Sequence, residues 1–370
     1  MSRLDYYRQF AGMTDEEVTE ELRQQASERR RRALARIDEL DLSRTTWHEA
    51  PHPDVINVVT FAARGALHVA ADPTAEELRR ALARRHGVEP DRVAVGHGAA
   101  QLLSSAAAAL LGPGEELLVP WPSYGLYPVM AHRAGGRAVP VPDGHDAGAL
   151  LAAVAPRTRA IALCNPNDPT GEHLPAAALG ELLDALPEHV SLLLDQALAD
   201  FAGAEDPGAA LALLDDHPRL LVFRTFSKAY GLAGLRCGYV LGGPGSEPLL
   251  AQLSPPLGVG LPAQAGALEA LAVCDDQLAA RRAQVIAERA RLLERLHDLP
   301  VDAAPSEANV VWLRAPGVPG AELAARLRRA GVLVMGGQQL GDAEHVRATI
   351  QSPRATDRLL DALARAVKPS

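Results

Sequence analysis

The segment from residue 220 to residue 242 reads LLVFRTFSKAYGLAGLRCGYVLG. It begins and ends with apolar runs, at 220–223 and 238–242, and the loop between them contains a lysine, Lys228. Five further apolar runs precede it and alternate with helical patterns, at 92–96, 116–120, 137–141, 159–164 and 191–194. Such alternation is typical of a mostly parallel sheet covered by helices on both faces. The sequence therefore predicts an α/β fold with three layers, helix, sheet and helix.

A segment rich in proline and glycine, residues 254–262, is predicted to end this large domain. Beyond it, helical patterns at 277–296 and 321–330 mix with strand-like runs at 309–314, 332–335 and 346–351 and a closing helix, which predicts a small α+β domain. We expect residues 1–49 to form an N-terminal arm and part of the small domain, 50–255 the large domain, and 256–370 the small C-terminal domain. Thr14 and Glu17 form a capping box that predicts a helix in the arm, running towards residue 37.

The composition argues against several classes of protein. The chain has 37 Lys and Arg against 46 Asp and Glu, and a net charge of -9 is unfavourable for binding nucleic acid. Its cysteines, Cys164, Cys237 and Cys274, lie far apart, so neither a metal site nor a disulfide framework is expected. No secretory signal pattern and no run of ~20 apolar residues is visible. We expect a cytoplasmic protein without a membrane partner.

The sequence contains only two lysines, Lys228 and Lys368. Lys368 lies two residues from the end of the chain, so lysine chemistry is expected at Lys228, which follows a predicted strand. Open α/β sheets bind ligands at the carboxyl ends of their strands. Two hydroxyls, Thr225 and Ser227, and the guanidinium of Arg236 surround this lysine in sequence. A lysine beside phosphate-binding groups is suited to a carbonyl compound that carries a phosphate, and pyridoxal 5'-phosphate (PLP) is the predicted cofactor.

Two other predicted strands end at the same edge of the sheet. The run 92–96 leads through Gly98, Ala99 and Ala100 into a helix, whose free backbone amides could bind a phosphate. Asp195 follows the run 191–194, and its carboxylate could stabilise a protonated pyridine nitrogen. Taken alone, the first pattern also fits a plain tight turn and the second a helix cap. Their agreement with Lys228 favours a PLP site.

Residues 224–239, RTFSKAYGLAGLRCGY, together with 165–171, NPNDPTG, closely resemble the class I/II aminotransferases of PLP fold type I, and most of all their histidinol-phosphate aminotransferase branch. The resemblance extends from about residue 50 to residue 350. It implies a PLP-dependent aminotransferase that moves an amino group between a small amino acid and a 2-oxo acid. Lys228 would form the Schiff base and act as the general base, and Asp195 would pair with the pyridine nitrogen. The family also implies a homodimer.

Further site residues are carried over from the resemblance alone. Tyr124 matches the aromatic residue that stacks on the cofactor ring and is grouped with Lys228 and Asp195 as catalytic. Arg347 matches the arginine that binds the α-carboxylate of the substrate, and Asn309 a position near the substrate. The implied cofactor-binding residues are Gly98, Ala99, Ala100, Tyr124, Asn165, Asp168, Asp195, Thr225, Ser227, Lys228 and Arg236.

The sequence also departs from the family near the cofactor. Asp168 and Leu198 occupy positions where the family usually has Asn and Tyr, two donors to the 3'-oxygen of the cofactor, and Ala70 replaces a Tyr expected from the partner subunit. Met335 stands where the histidinol-phosphate enzymes commonly have an arginine, which predicts a substrate without a phosphate. These departures leave two alternatives open: a PLP-dependent lyase, decarboxylase, cyclase or oxidase, and a non-catalytic relative that uses the cofactor as a ligand sensor.

Overall fold

A computed structural model describes residues 20, 22–25, 27–28, 39–142 and 144–367. Thr14, Glu17 and Lys368 lie outside these residues. The helices are α1 (Pro53–Ala66), α2 (Glu76–His86), α3 (Ala99–Leu110), α4 (Tyr127–Arg133), α5 (Ala147–Ala153), α6 (Ala176–Ala185), α7 (Glu247–Leu253), α8 (Leu261–Val273), α9 (Asp275–Leu296), α10 (Gly320–Arg329) and α11 (Pro353–Ala366). The strands are β1 (Leu40–Asp41), β2 (Val93–Gly96), β3 (Glu116–Trp121), β4 (Arg137–Pro142), β5 (Thr158–Cys164), β6 (Ser191–Asp195), β7 (Leu220–Thr225), β8 (Gly238–Gly242), β9 (Asp302–Ala303), β10 (Val310–Arg314), β11 (Val332–Leu333), β12 (Met335–Gly336) and β13 (His345–Thr349).

The large domain is built on a seven-stranded sheet with the order β2-β8-β7-β6-β5-β3-β4. Strand β8 pairs antiparallel with both of its neighbours, and the pairs from β7 to β4 are all parallel. Because the parallel strands point the same way, β5, β6 and β7 end side by side, with Cys164 opposite Asp195 and Asp195 opposite Phe223. This shared edge carries Asp195 and leads into the Lys228 loop.

Helices cover both faces of this sheet. Successive side chains of a strand point to opposite faces, and in β6 Leu192 and Leu194 pack on one face while Leu193 packs on the other. The first face is covered by α2, α6 and α8, and the second by α3, α4 and α7. Strands buried on both sides need apolar residues at every position, which explains why they appear in the sequence as continuous apolar runs. The predicted three-layer α/β fold is confirmed.

The small domain has its own hydrophobic core around a four-stranded antiparallel sheet, with the order β12-β13-β10-β9. Side chains of α9, α10 and α11 fill this core. Strand β1 pairs with β11 as a separate two-stranded parallel sheet. Residues 40–42 are therefore held against the small domain. None of the described helices is long and apolar enough to span a lipid bilayer.

The change from one core to the other lies later in the chain than the sequence indicated. Ala263, Ala267 and Ala270 of α8 pack in the core of the large sheet, whereas Val285 and Leu292 of α9 pack in the small domain. The segment 254–262 is thus a turn inside the large domain. By packing, the boundary falls between α8 and α9, about twenty residues after the predicted position.

Candidate active site

A cavity opens at the shared edge of the sheet, between the carboxyl ends of the parallel strands and the start of α3. Nine of the residues predicted for the site line it: Ala99, Ala100, Tyr124, Asp168, Asp195, Thr225, Ser227, Lys228 and Arg236. They come from six separate parts of the chain. Four other predicted residues, Gly98, Asn165, Asn309 and Arg347, do not line the cavity and are described below.

One end of the cavity presents donors that fit a phosphate group. The backbone amides of Ala99 and Ala100 open helix α3 and have no acceptor among the described residues. Ser227 is buried beside them, and its hydroxyl accepts a hydrogen bond from Nη1 of Arg236 at 3.2 Å. Free amides at a helix start, a hydroxyl and a guanidinium are the usual partners of a bound phosphate.

Gly98 makes this arrangement possible although it does not line the cavity. It precedes α3 with a φ of 82°, in the left-handed region that glycine adopts without strain. A Cβ atom at this position would lie 2.9 Å from Nη2 of Arg236. Any side chain here would therefore push away the guanidinium, so the glycine brings the helix start and Arg236 together.

Lys228 lies at the centre of the cavity, in the loop after β7. Its Nζ donates a hydrogen bond to Oγ1 of Thr45. Burial lowers the pKa of Lys228 and the positive charge of Arg347 lowers it further, while Asp168 and Asp195 partly oppose this effect. A lysine with a lowered pKa has a larger fraction of neutral amine at neutral pH, and the neutral amine is the nucleophile that attacks an aldehyde.

Thr45 was not identified from the sequence. Thr45 contacts Lys228 and the next residue, Thr46, lines the cavity. Groups of the small domain hold the backbone of this segment: Thr349 donates to the carbonyl of Arg44, and Asn309 donates to that of Thr45. Asn309 is fully buried and does not reach the cavity. Its hydrogen bond positions the residue that touches Lys228, and its contact with substrate stays a prediction.

Asp195 ends β6 and is buried. Its Oδ2 accepts a hydrogen bond from the hydroxyl of Tyr127 at 2.8 Å, and its Oδ1 accepts one from the amide of Ala197 at 3.0 Å. Burial raises the pKa of Asp195, while these two hydrogen bonds and the charge of Lys228 lower it. The donors therefore support the ionised carboxylate that a protonated pyridine nitrogen requires.

Two tyrosines form an aromatic wall beside this carboxylate. The ring of Tyr124 meets that of Tyr127 edge-on, with centroids 5.4 Å apart and planes at 78°. Tyr127 is completely buried, whereas Tyr124 lines the cavity, and burial raises the pKa of Tyr124 to about 12. Tyr124 thus presents a neutral phenol to the cavity. Tyr127 was missed from the sequence because nothing local distinguishes it from a core residue.

The guanidinium of Arg347 is hydrogen-bonded to groups of the protein. Its Nη1 donates to both carboxylate oxygens of Asp168, at 2.6 and 2.8 Å, and its Nη2 donates to the carbonyl of Ser43 at 2.6 Å. Nε is buried and has no partner. Both Arg347 and Asp168 are buried, but only Asp168 lines the cavity. Asp168 thus meets Nη1 alone, and the contact of Arg347 with a substrate α-carboxylate stays a prediction.

Asn165 has a structural role, and its contact with the cofactor stays a prediction. Its Nδ2 donates to the carbonyl of Leu174 and its Oδ1 accepts from the amide of the same residue, at 2.8 and 2.7 Å. Both polar groups of the side chain are thus used to close the loop that carries Asp168. Of the divergent positions, Leu198 lines the cavity and Ala70 is exposed on the surface.

Comparisons with known proteins show the family of this chain. The family model for aminotransferase class I and II matches residues 38–366. An aromatic amino acid aminotransferase of Corynebacterium efficiens is 37% identical over 330 residues, which cover 88% of this chain and 92% of that protein. One of Thermobifida fusca is 38% identical, with 84% of this chain and 85% of that protein covered.

Solved structures of aminotransferases are also similar to this chain. Histidinol-phosphate aminotransferase from Sinorhizobium meliloti in complex with PLP aligns with a TM-score of 0.80 at 28% identity and covers 92% of this chain and 94% of its own. A double mutant of Thermus thermophilus aspartate aminotransferase aligns with a TM-score of 0.81 at 27% identity and covers 99% of both chains. Together with the family model, they confirm the predictions of an aminotransferase and of PLP as its cofactor. The chain belongs to the class I and II aminotransferases.

Proposed function

We propose that this PLP-dependent aminotransferase moves an amino group between an amino acid and a 2-oxo acid in the cavity around Lys228. The observation that carries the proposal is the placement of Lys228, the only lysine among the described residues, in one cavity with the buried Asp195 and the free amides of α3. Each of these three features comes from a different part of the chain. Their convergence supports a site that binds PLP at both its aldehyde and its phosphate.

The roles of the residues follow from their chemistry. The amine of Lys228 would bond the aldehyde carbon of PLP, the amides of Ala99 and Ala100 with Ser227 and Arg236 would hold the phosphate, and Asp195 would keep the proton on the ring nitrogen. When bound, PLP accepts the electron pair that a substrate leaves when its α-carbon loses a proton.

Lys228 would also supply the base for the reaction, because burial lowers the pKa of its amine. It can therefore remove the proton from the substrate α-carbon and hold it on Nζ. Thr45, which contacts Nζ, would orient that amine while it takes up and holds the proton.

The reaction itself can be tested by product analysis. The relatives that are 37% and 38% identical are named aromatic amino acid aminotransferases, so phenylalanine and tyrosine are the first donors to assay, with 2-oxoglutarate as acceptor. We expect each mole of 2-oxo acid formed from the donor to be matched by one mole of amino acid formed from the acceptor. Release of ammonia or carbon dioxide without amination of the acceptor would instead support a lyase, an oxidase or a decarboxylase.

We also propose that the protein is a cytoplasmic homodimer. Phe61 of α1 is 81% exposed, Leu67 is 79% exposed and Leu257 is 88% exposed. A contiguous exposed patch of large apolar side chains is typical of an interaction surface, and these three residues would lie in the interface of the homodimer that the family resemblance implies. We expect a dimer by analytical ultracentrifugation, and a shift towards monomer when Phe61 and Leu257 are both replaced by glutamate. A wild-type protein that sediments as a monomer at all concentrations would contradict the proposal.

A further inference from the structure

Asp168 lies on the other side of Asp195 from the groups that fit a phosphate. Those groups lie at the ends of β2, β7 and β8, which are neighbours at one side of the large sheet. Asp195 ends β6, the next strand in the sheet, and Asp168 follows β5, the strand beyond it. The order of the strands therefore runs from the phosphate site through Asp195 to Asp168.

The chemical structure of PLP matches this order. In its pyridine ring the aldehyde carbon lies opposite the nitrogen, and the phosphate arm and the 3'-oxygen are attached on the two sides of the aldehyde. When the nitrogen is at Asp195, the aldehyde at Lys228 and the phosphate at the start of α3, the 3'-oxygen points away from the phosphate site. It then faces the side of the cavity that Asp168 lines.

The carboxylate of Asp168 can act there as an acceptor only. It forms an ion pair with Arg347, whose Nη1 donates to its two oxygens at 2.6 and 2.8 Å, and an ionised carboxylate has no hydrogen to donate. A carboxylate has about four lone-pair sites, so each oxygen of Asp168 can accept a further hydrogen bond. Asp168 lines the cavity and Arg347 does not, so the carboxylate is the group that the ligand meets.

Two other side chains that line the cavity from β5 and from the loop after β6 do not supply a donor. Leu198 is apolar, and the thiol of Cys164 donates to the carbonyl of Pro166 at 3.2 Å. The charged and titratable groups around Asp168 are Arg347 of β13, Lys228 of the loop after β7, Asp195 of β6, Cys164 of β5 and Tyr124 of the loop after β3.

Resting on the proposed function, we infer that Asp168 accepts a hydrogen bond from the 3'-hydroxyl of bound PLP and holds this oxygen in its protonated form. In the Schiff base of PLP, the 3'-oxygen and the imine nitrogen share one proton. A donor beside the oxygen stabilises its anion and leaves the proton on nitrogen, whereas an acceptor holds the proton on oxygen. This is the reverse of the donor pattern that the family resemblance implies.

The charge of Asp168 acts in the same direction as its hydrogen bond. A negative charge opposes the loss of a proton from a neighbouring group, and so does an acceptor that is bonded to that proton. Both effects raise the pH at which the Schiff base loses the shared proton. Replacing the carboxylate with an amide would remove the charge, add a donor and leave the positive charge of Arg347 unopposed, and each of these changes lowers that pH.

The inference is tested by absorbance spectra of the PLP-loaded enzyme over a pH titration, without substrate. A Schiff base with its proton on the imine nitrogen absorbs visible light, and one with its proton on the 3'-oxygen absorbs in the near ultraviolet. Below the midpoint of the titration, we expect the near-ultraviolet band of the wild-type enzyme to be the larger of the two. Both bands should disappear on reduction with borohydride, which does not react with the amine form of the cofactor.

Asp168→Asn should lower the midpoint by about one pH unit or more, because one nearby charge shifts a pKa by about 1–3 units. The visible band of this variant should also grow at the expense of the near-ultraviolet band. Glu116→Gln is the matched control, because Glu116 is a buried acid that is paired with Arg137 at the start of β3, whereas the cavity lies at the strands' other ends. It should leave the midpoint and the ratio of the bands unchanged.

The inference is overturned if the visible band of the wild-type enzyme is the larger one below the midpoint, or if Asp168→Asn leaves the midpoint unchanged or raises it. Failure of the proposed function gives different results. A protein that shows neither band after addition of PLP has no Schiff base, and one that shows the bands but aminates no acceptor lacks the transfer reaction alone. The wild-type spectrum requires no variant, so it decides the inference even if Asp168→Asn does not fold.

Discussion

Replacing Lys228 by alanine is expected to abolish the covalent attachment of PLP and to lower kcat/KM for amino transfer by on the order of 10⁴-fold. Among the described residues no other primary amine is present in a side chain, so no neighbour can replace Nζ. The variant loses both the bond to the cofactor aldehyde and the base that moves the proton at the α-carbon. Absorbance spectra before and after borohydride reduction, with mass spectrometry of the reduced protein, detect the attachment directly.

Lys228→Arg is the matched control for charge. Arginine keeps a cation beside Asp168 and Asp195, whose charges act on Lys228, but its guanidinium does not deprotonate in proteins and forms no imine. We expect this variant to be as inactive as Lys228→Ala while keeping the thermal stability of the wild type more closely. Substantial activity in the arginine variant would mean that Lys228 acts as a fixed charge, which contradicts the proposed role.

The sequence was sufficient to predict which strand ends carry the chemistry. Lys228, Asp195 and the amides at the start of α3 each follow an apolar run, and parallel strands must end at one edge, so their proximity followed from local patterns. The same patterns did not predict that α8 packs against the large sheet. A helix with apolar residues on most of its faces lacks the periodicity that identifies a helix packed on a sheet. The cluster of prolines before α8 therefore predicts a domain boundary, whereas α8 packs in the core of the large domain.

Residues that act through contacts distant in sequence could not be predicted. Thr45 reaches Lys228 across 183 positions, and Asp168 meets Arg347 across 179. Such contacts depend on how the small domain packs against the large one, which no local pattern encodes. The resemblance gave Arg347 its position but not its partner, since the family usually has an uncharged asparagine where this chain has Asp168.

Asp195→Asn is expected to lower kcat/KM by on the order of 10³-fold, because losing one partner of a buried charge pair costs about 2–5 kcal/mol. Asparagine nearly matches aspartate in shape but has no charge to keep a proton on the ring nitrogen. The apoprotein should be no less stable than wild type, since burial raises the pKa of Asp195 and its ionised form is already unfavourable without the cofactor. Steady-state kinetics and thermal denaturation of both forms provide the measurements.

Tyr127→Phe provides a graded comparison for the same carboxylate. It removes only the hydrogen bond to Oδ2 of Asp195, and the bond from the amide of Ala197 remains. A hydrogen bond to a charged group contributes about 1.5–3 kcal/mol, so we expect a loss in kcat/KM of roughly tenfold to a hundredfold. The proton on the ring nitrogen should also be held less strongly, because the pKa of Asp195 rises further when a donor is lost. Two results would contradict the role proposed for the charge of Asp195. One is an equal loss of kcat/KM in Tyr127→Phe and Asp195→Asn, and the other is a kcat/KM of Asp195→Asn within about tenfold of the wild-type value.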